Sequence, residues 1–403
     1  MAEGAEIAII GAGPAGLAAA EVLARAGRRV VVLEREAEAG GIPRHCAHSP
    51  YGLREFARPM LGPAYARALA ARARAAGAEI RTGTSVIALH PGPEIAITSD
   101  ATGAARLAPR LVLIATGARE TSRAGRLIGG TKPGGVMNTG ALQGLLHLNH
   151  RRPFARPVIV GSELVAFSAL LSCLGAGMRP VAMLEAGPRP TARWPAALLP
   201  RLAGVPLLLG TEIVAIEGAG RVSGVVLRRG AEEWRLAADG VILSGRFRPE
   251  AALIAPGHLA LDPATGGPEI DEFGRCSDPA FFAAGNVLRG IETAGACWAE
   301  GRRIAGAMLR ALAGELPAGP GGRVALGPGL AWVVPQRVTG GAGPALPVLQ
   351  LRAAGAVRGR LALRAAGGEI AGRSLAALPE RRLILPLPPA TPAGAEVRLG
   401  PEG

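Results

Sequence analysis

The chain has 403 residues, 49% of them hydrophobic, so it is long enough for two or three domains with cores of their own. Its formal charge of +14 invites a nucleic-acid partner, but arginines are scattered along every segment and aromatics make up only 3%. That pattern argues against nucleic acid and leaves docking to an acidic partner open. The richest apolar stretch, Trp194 to Gly210, is broken by Pro195, Pro200, Arg201 and Pro206, which excludes a membrane span there. Glu3 and Glu6 stand where a secretory leader would be basic, so the expected location is cytoplasmic.

In chain order the first signal is the apolar run Ile7 to Ile10, then Gly11-Ala12-Gly13-Pro14-Ala15-Gly16, then a helical stretch from Leu17 to Ala26 stopped by Gly27. Glycines at a strand-to-helix turn allow a tight bend at Gly11, approach of a pyrophosphate at Gly13 and close helix packing at Gly16. The second strand, Val30 to Leu33, ends in Glu34, about 18 residues past Gly16, where a carboxylate meets ribose hydroxyls. The chain therefore opens on an adenine-dinucleotide site. Further on, Leu111 to Ile114 runs into Ala115-Thr116-Gly117, and Phe281-Phe282-Ala283-Ala284 runs into Gly285-Asn286.

In this order the landmarks resemble the two-dinucleotide flavoproteins related to glutathione reductase. The closer resemblance is to the shorter NAD(P)/FAD-dependent oxidoreductases that accompany glycerol-3-phosphate dehydrogenases or amine- and opine-oxidising subunits. It rests on Gly40-Gly41-Ile42-Pro43-Arg44-His45-Cys46-Ala47-His48, on Gly285 to Gly295, and on Trp332-Val333-Val334-Pro335-Gln336-Arg337. The implied fold is α/β: a Rossmann-like FAD-binding domain with a second nucleotide-binding-like domain inserted, plus a small all-β C-terminal domain. The corresponding boundaries are 1–150 and 243–315 for the FAD halves, 151–242 for the insert, a Pro/Gly-rich linker at 316–328, and a β-sandwich-like tail at 329–403. Implied FAD contacts are Gly11, Gly13, Pro14, Ala15 and Gly16 at the first turn, and Glu34, Arg35, Gly41, Ile42 and Val86 after it. Ala115, Thr116, Gly117, Gly285 and Asn286 complete the set. Asn286 stands where the family has an acid, so it can bind a ribityl hydroxyl without supplying charge.

The inserted segment has its own strand, Pro157 to Val160, a helix from Leu164 to Leu174, and a strand from Pro180 to Leu184 followed by Glu185. Its turn reads Gly161-Ser162-Glu163, so a carboxylate replaces the glycine that should admit a pyrophosphate. At roughly 4 Å from a phosphate this costs about 4 kcal/mol at an effective dielectric near 20. Nicotinamide binding is accordingly expected to be compromised, although Glu185 stands where an NAD-type ribose ligand belongs.

Dithiol chemistry needs a second cysteine beside Cys46, and Cys173, Cys276 and Cys297 are far away in sequence. They form no metal-ligand spacing either, and no metal is expected. The candidate catalytic residues are Cys46, as a single thiol near the flavin, and His45 and His48, as proton carriers; a packed thiol and loop hydrogen bonds are the competing readings. Arg289 and Glu292 are expected to pair, and the tail is expected to dock or cover and not to catalyse. Three functions stay open. The chain passes electrons between FAD and a partner dehydrogenase subunit or acceptor; or it is a self-contained NAD(P)H-dependent reductase; or it is an FAD-stabilised scaffold. The expected partners are a small-molecule substrate and either a second dehydrogenase or oxidase subunit or a second copy of the chain in a homodimer.

Overall fold

The computed structural model describes residues 4–400 apart from 320, 342 and 390; Glu3 and the last three residues of the tail lie outside that set. Ile7–Ile10 is apolar on both faces and buried throughout, which suits the centre of a parallel sheet. It pairs in parallel with Val30–Leu33 on one side and Leu111–Ile114 on the other. With Phe281–Ala283 and Glu79–Arg81 at the edges it forms a five-stranded sheet. The helix Pro14–Arg25 begins earlier than the sequence suggests, because proline is tolerated in a first turn, and it ends before Gly27 at φ 75°.

A second five-stranded parallel sheet repeats this plan around Pro157–Val160, with Ala182–Glu185, Leu207–Leu209, Gly240–Leu243 and Val136–Asn138. Four of the five strands occupy corresponding places, so each sheet has a crevice where the strand order reverses, beside Ile7–Ile10 in the first and Pro157–Val160 in the second. The edge strand Val136–Asn138 precedes residue 151, so the second sheet recruits chain from before the expected boundary. Two short antiparallel strands, Ala118–Glu120 and Phe247–Pro249, carry the chain between the units.

The long helix Ala294–Leu312 packs against Pro14–Arg25 through glycine. A Cβ on Gly301 would lie 2.1 Å from the Ala15 carbonyl oxygen, whereas one on Gly306 of the same helix would meet nothing within 4 Å. Gly301→Ala is therefore expected to destabilise the protein by about 3 kcal/mol through backbone displacement. Gly306→Ala is expected to be neutral or slightly stabilising. Urea melts of the two variants check this, and equal midpoints would contradict it.

The tail forms two facing antiparallel arrays, Val357–Ala365 with Gly368–Ala377 and Glu396–Gly400, and Leu330–Val334 with Val348–Ala353 and Leu383–Pro386. Leu349, Leu351, Leu361, Leu363, Leu385 and Val397 fill the space between them. The Pro/Gly stretch before the tail is more than a connector. Gly322–Arg323 pairs with Arg337–Val338, and the carbonyls of Pro317 and Gly319 each accept from Arg275 at 2.7 Å. No helix among the described residues is long and apolar enough to cross a membrane.

Candidate functional site

One cavity of about 2600 Å³ runs along both crevices. Single-ligand clefts usually fall at about 300–1,000 Å³, so there is room here for a dinucleotide and a second ligand. Gly11, Gly13, Pro14, Ala15, Glu34, Arg35, Gly41, Ile42 and Val86 line it, as do Ala115, Thr116, Gly117, Gly285, Asn286, His45, Cys46 and His48. Gly16 is the exception. It is buried beneath the turn, where a Cβ would lie 2.0 Å from the Gly11 carbonyl oxygen.

The first turn is open. Gly13 has an ordinary extended φ of −78°, and a Cβ there would meet nothing within 4 Å, so what its glycine provides is space on the cavity side. No acid occupies the first turn of the following helix, which leaves its N–H groups and positive dipole end to an anion. Glu34 is held by the Ala12 N–H at 2.8 Å and the Glu36 N–H at 3.0 Å, with the second lone pairs of its oxygens left for hydroxyls. Thr116 fixes the Ala-Thr-Gly turn by donating to the Glu250 carbonyl at 2.8 Å. This cradle fits the adenine, ribose and pyrophosphate of FAD.

Around Gly285 the structure differs from the sequence reading in two respects. Asn286 turns its amide onto its own loop: Oδ1 accepts from the Glu292 N–H at 2.7 Å and Nδ2 donates to the Glu292 carbonyl at 3.2 Å. Arg289 does not pair with Glu292. The loop between them is not helical, and Arg289 points inward, fully buried, to Glu300 at 2.9 Å, while Glu292 pairs with Arg382 of the tail at 2.8 Å. Glu300 also accepts from the Gly285 N–H at 2.7 Å, and Gln350 of the tail bonds both Glu300 and Arg289 at 3.1 Å. Gln350 thus ties the tail to the Gly-Asn turn, a link between distant segments that no local pattern announces.

The second turn is closed. Glu163 stands at the N-cap position of the helix Leu164–Gly175 without a side-chain bond to the helix, and its carboxylate fills the space between Gly161 and Gly245, where a Cβ would stand 2.7 Å and 2.9 Å from carboxylate atoms. Ser244 donates its hydroxyl to Glu163, and Arg126 holds the Ser244 and Gly245 carbonyls at 2.8 and 2.9 Å. Burial raises the Glu163 pKa. Glu185, in contrast, matches Glu34: it accepts from the Gly187 N–H at 2.8 Å and from the hydroxyl of Ser162, which takes the place of Ala12.

Two sheets of matched order with paired crevices place the chain among the dinucleotide-binding flavoproteins, and a family model, pyridine nucleotide-disulphide oxidoreductase, matches residues 5–301. The chain belongs to that family. Members of that family are FAD-dependent oxidoreductases with NAD(P)H as the second dinucleotide. Among relatives, an opine oxidase subunit of Rhizobium meliloti (strain 1021) is 33% identical over 179 residues, 44% of this chain and 38% of that protein. The chain thus spans well under half of that relative's length. Among solved structures, T. acidophilum thioredoxin reductase superposes with a TM-score of 0.65 at 22% identity, covering 76% of this chain and 98% of its own. An NAD-dependent persulfide reductase from A. fulgidus gives 0.60 at 18%, covering 94% and 71%. Both likenesses concern the fold.

The candidate catalytic residues of this flavoprotein share one wall of the cavity. Cys46 is buried, with Sγ 3.5 Å from the Ile42 carbonyl and 3.6 Å from Gln143 Oε1. Burial raises its pKa, which keeps the thiol protonated and a poor nucleophile. Burial lowers the His45 pKa, and His48 leans on the Tyr51 ring at 5.5 Å. Among the described residues no group of three or more His, Cys, Asp or Glu is placed to hold a metal.

Glu120 was not singled out by the sequence, because its environment comes from three segments. Its Oε2 accepts from the Gly140 N–H at 2.9 Å while Oε1 is buried without a partner. Burial, with a contribution from Glu163, pushes its pKa up to about 7 from 4.5. The folded chain then holds this proton more tightly than the unfolded one, so stability present below about pH 4.5 is lost as pH rises to about 7. The full shift corresponds to about 3 kcal/mol. Glu120→Gln is expected to remove that loss, read as stability curves that diverge between pH 4.5 and 7; parallel curves would contradict the assignment.

Proposed function

We propose that this flavoprotein holds FAD in the first crevice and exchanges its electrons with a partner dehydrogenase or oxidase subunit, or another acceptor, and not with NAD(P)H. The observation that carries this is the contrast between Gly13, which leaves its cradle open, and Glu163, which fills the equivalent one. A pyrophosphate entering the second crevice would have to displace a buried carboxylate hydrogen-bonded to Ser244. The name of the opine oxidase subunit supports a multi-subunit setting, and the tail offers a second face for assembly.

When bound, FAD supplies reversible hydride and single-electron transfer. The protein's part is positioning. The Gly11–Gly16 turn and Glu34 anchor the adenine half. Glu300, Arg289 and Gln350 hold the Gly285 turn, and the N-terminus of Ala294–Leu312, which faces the cavity, favours negative charge there. The self-contained NAD(P)H reductase is the second reading, favoured by Glu185, whose arrangement copies that of Glu34. Anaerobic titration of the flavin absorbance separates them. The proposal expects no bleaching at stoichiometric NADH or NADPH and full reduction by dithionite; bleaching by NADH would establish the reductase instead.

A further inference from the structure

The tail brings Arg352, Arg381 and Arg382 to the cavity wall beside the loop that precedes the helix Ala294–Leu312. Arg382 is paired with Glu292 at 2.8 Å, and Arg381 shares Glu380, at 3.4 Å, with Arg189, which holds the same carboxylate at 2.9 Å. Arg352 forms no ion pair among the described residues. Its guanidinium lies over the Trp332 ring at 5.4 Å, and its Nη1 is buried without a hydrogen-bond partner. The nearby Glu292, only 7% exposed, carries an orphan of opposite kind, because its Oε2 serves Arg382 and its Oε1 is buried and unpartnered.

A buried donor and a buried acceptor left unmade each cost about 1–3 kcal/mol, so a ligand that satisfies both on this cavity wall gains from each. Counting charges, Arg352 and Arg382 against Glu292 leave a net positive site, and the dipole of the adjacent nineteen-residue helix adds to it. A planar guanidinium backed by an aromatic ring suits a carboxylate.

We propose that Arg352 and Glu292 form a subsite for a small organic acid with an amine or hydroxyl beside its carboxylate. Arg352 Nη1 donates to the carboxylate, and Glu292 Oε1 accepts from the neighbouring group. The subsite gives the proposed flavin site its ligand class and rests on that reading.

The test is calorimetric titration of the FAD-loaded protein with 2-aminobenzoate and with its uncharged analogue 2-aminobenzamide, in wild type, Arg352→Gln and Arg352→Lys. The acid is expected to saturate one site and the amide to bind about tenfold or more weaker. Arg352→Gln is expected to weaken the acid about tenfold without changing the amide, and Arg352→Lys to recover part of the loss. Absence of binding, equal binding of acid and amide, or an unchanged Arg352→Gln variant would overturn the subsite. The last outcome would make Arg352 a packing partner of Trp332 and nothing more. Flavin content is measured on the same samples, so failure of the flavin reading shows separately as protein without FAD.

Discussion

Replacing Glu163 by glycine is expected to tighten NADH binding by about a thousandfold, which corresponds to removing about 4 kcal/mol of repulsion between a carboxylate and a phosphate roughly 4 Å apart. The cavity gains the volume that the side chain takes from Gly161 and Gly245. The N-terminal N–H groups of Leu164–Gly175, which the Glu163 side chain does not bond, come within reach of the pyrophosphate once that side chain is gone. Glu163→Gln separates charge from bulk: it removes the repulsion but keeps the obstruction, so its gain is expected to be the smaller. Lower pH should help the wild type in the same limited way, because burial raises the Glu163 pKa and protonation leaves the side chain in place. NADH should gain more than NADPH, since Glu185 repels a 2′-phosphate. The measurement is flavin bleaching against nicotinamide concentration, and an unchanged Glu163→Gly variant would show that something else closes the second crevice.

The converse substitution, Gly13→Glu, is expected to empty the first crevice. A side chain at Gly13 has open space and an unstrained backbone, so the chain should fold normally, and the carboxylate would stand in the path of the pyrophosphate as Glu163 does in the second unit. The loss of FAD affinity should again approach about a thousandfold. The variant is expected to purify colourless with an unchanged far-ultraviolet circular dichroism spectrum. A yellow, stoichiometric variant would remove the FAD assignment from this turn. Gly16→Ala would be a poor substitute, because its Cβ would strike the Gly11 carbonyl and damage the fold itself.

Both substitutions were legible in the sequence because they sit in a local pattern. A buried strand, a glycine turn and a helix follow one another within twenty residues, and the spacing fixes which residue faces the phosphates. Glu163 stood out for the same reason, as the wrong residue at a position the first turn defines. What the sequence hid is non-local. The Arg289–Glu300–Gln350 network joins the Gly-Asn turn, the long helix and the tail. The perturbed Glu120 depends on packing against residues from other segments, and Arg352 reaches the cavity from a strand whose alternation announces only a sandwich. The expected Arg289–Glu292 pair failed on geometry. Three residues apart meet on a helix but not on the irregular loop that connects these two.

The most direct test is calorimetry on protein stripped of its flavin, titrated first with FAD and then with NADH. One equivalent of FAD binding tightly, followed by no saturable NADH binding below millimolar concentration, is the predicted result. NADH binding to the FAD-loaded protein at micromolar concentration would contradict a second crevice closed by Glu163.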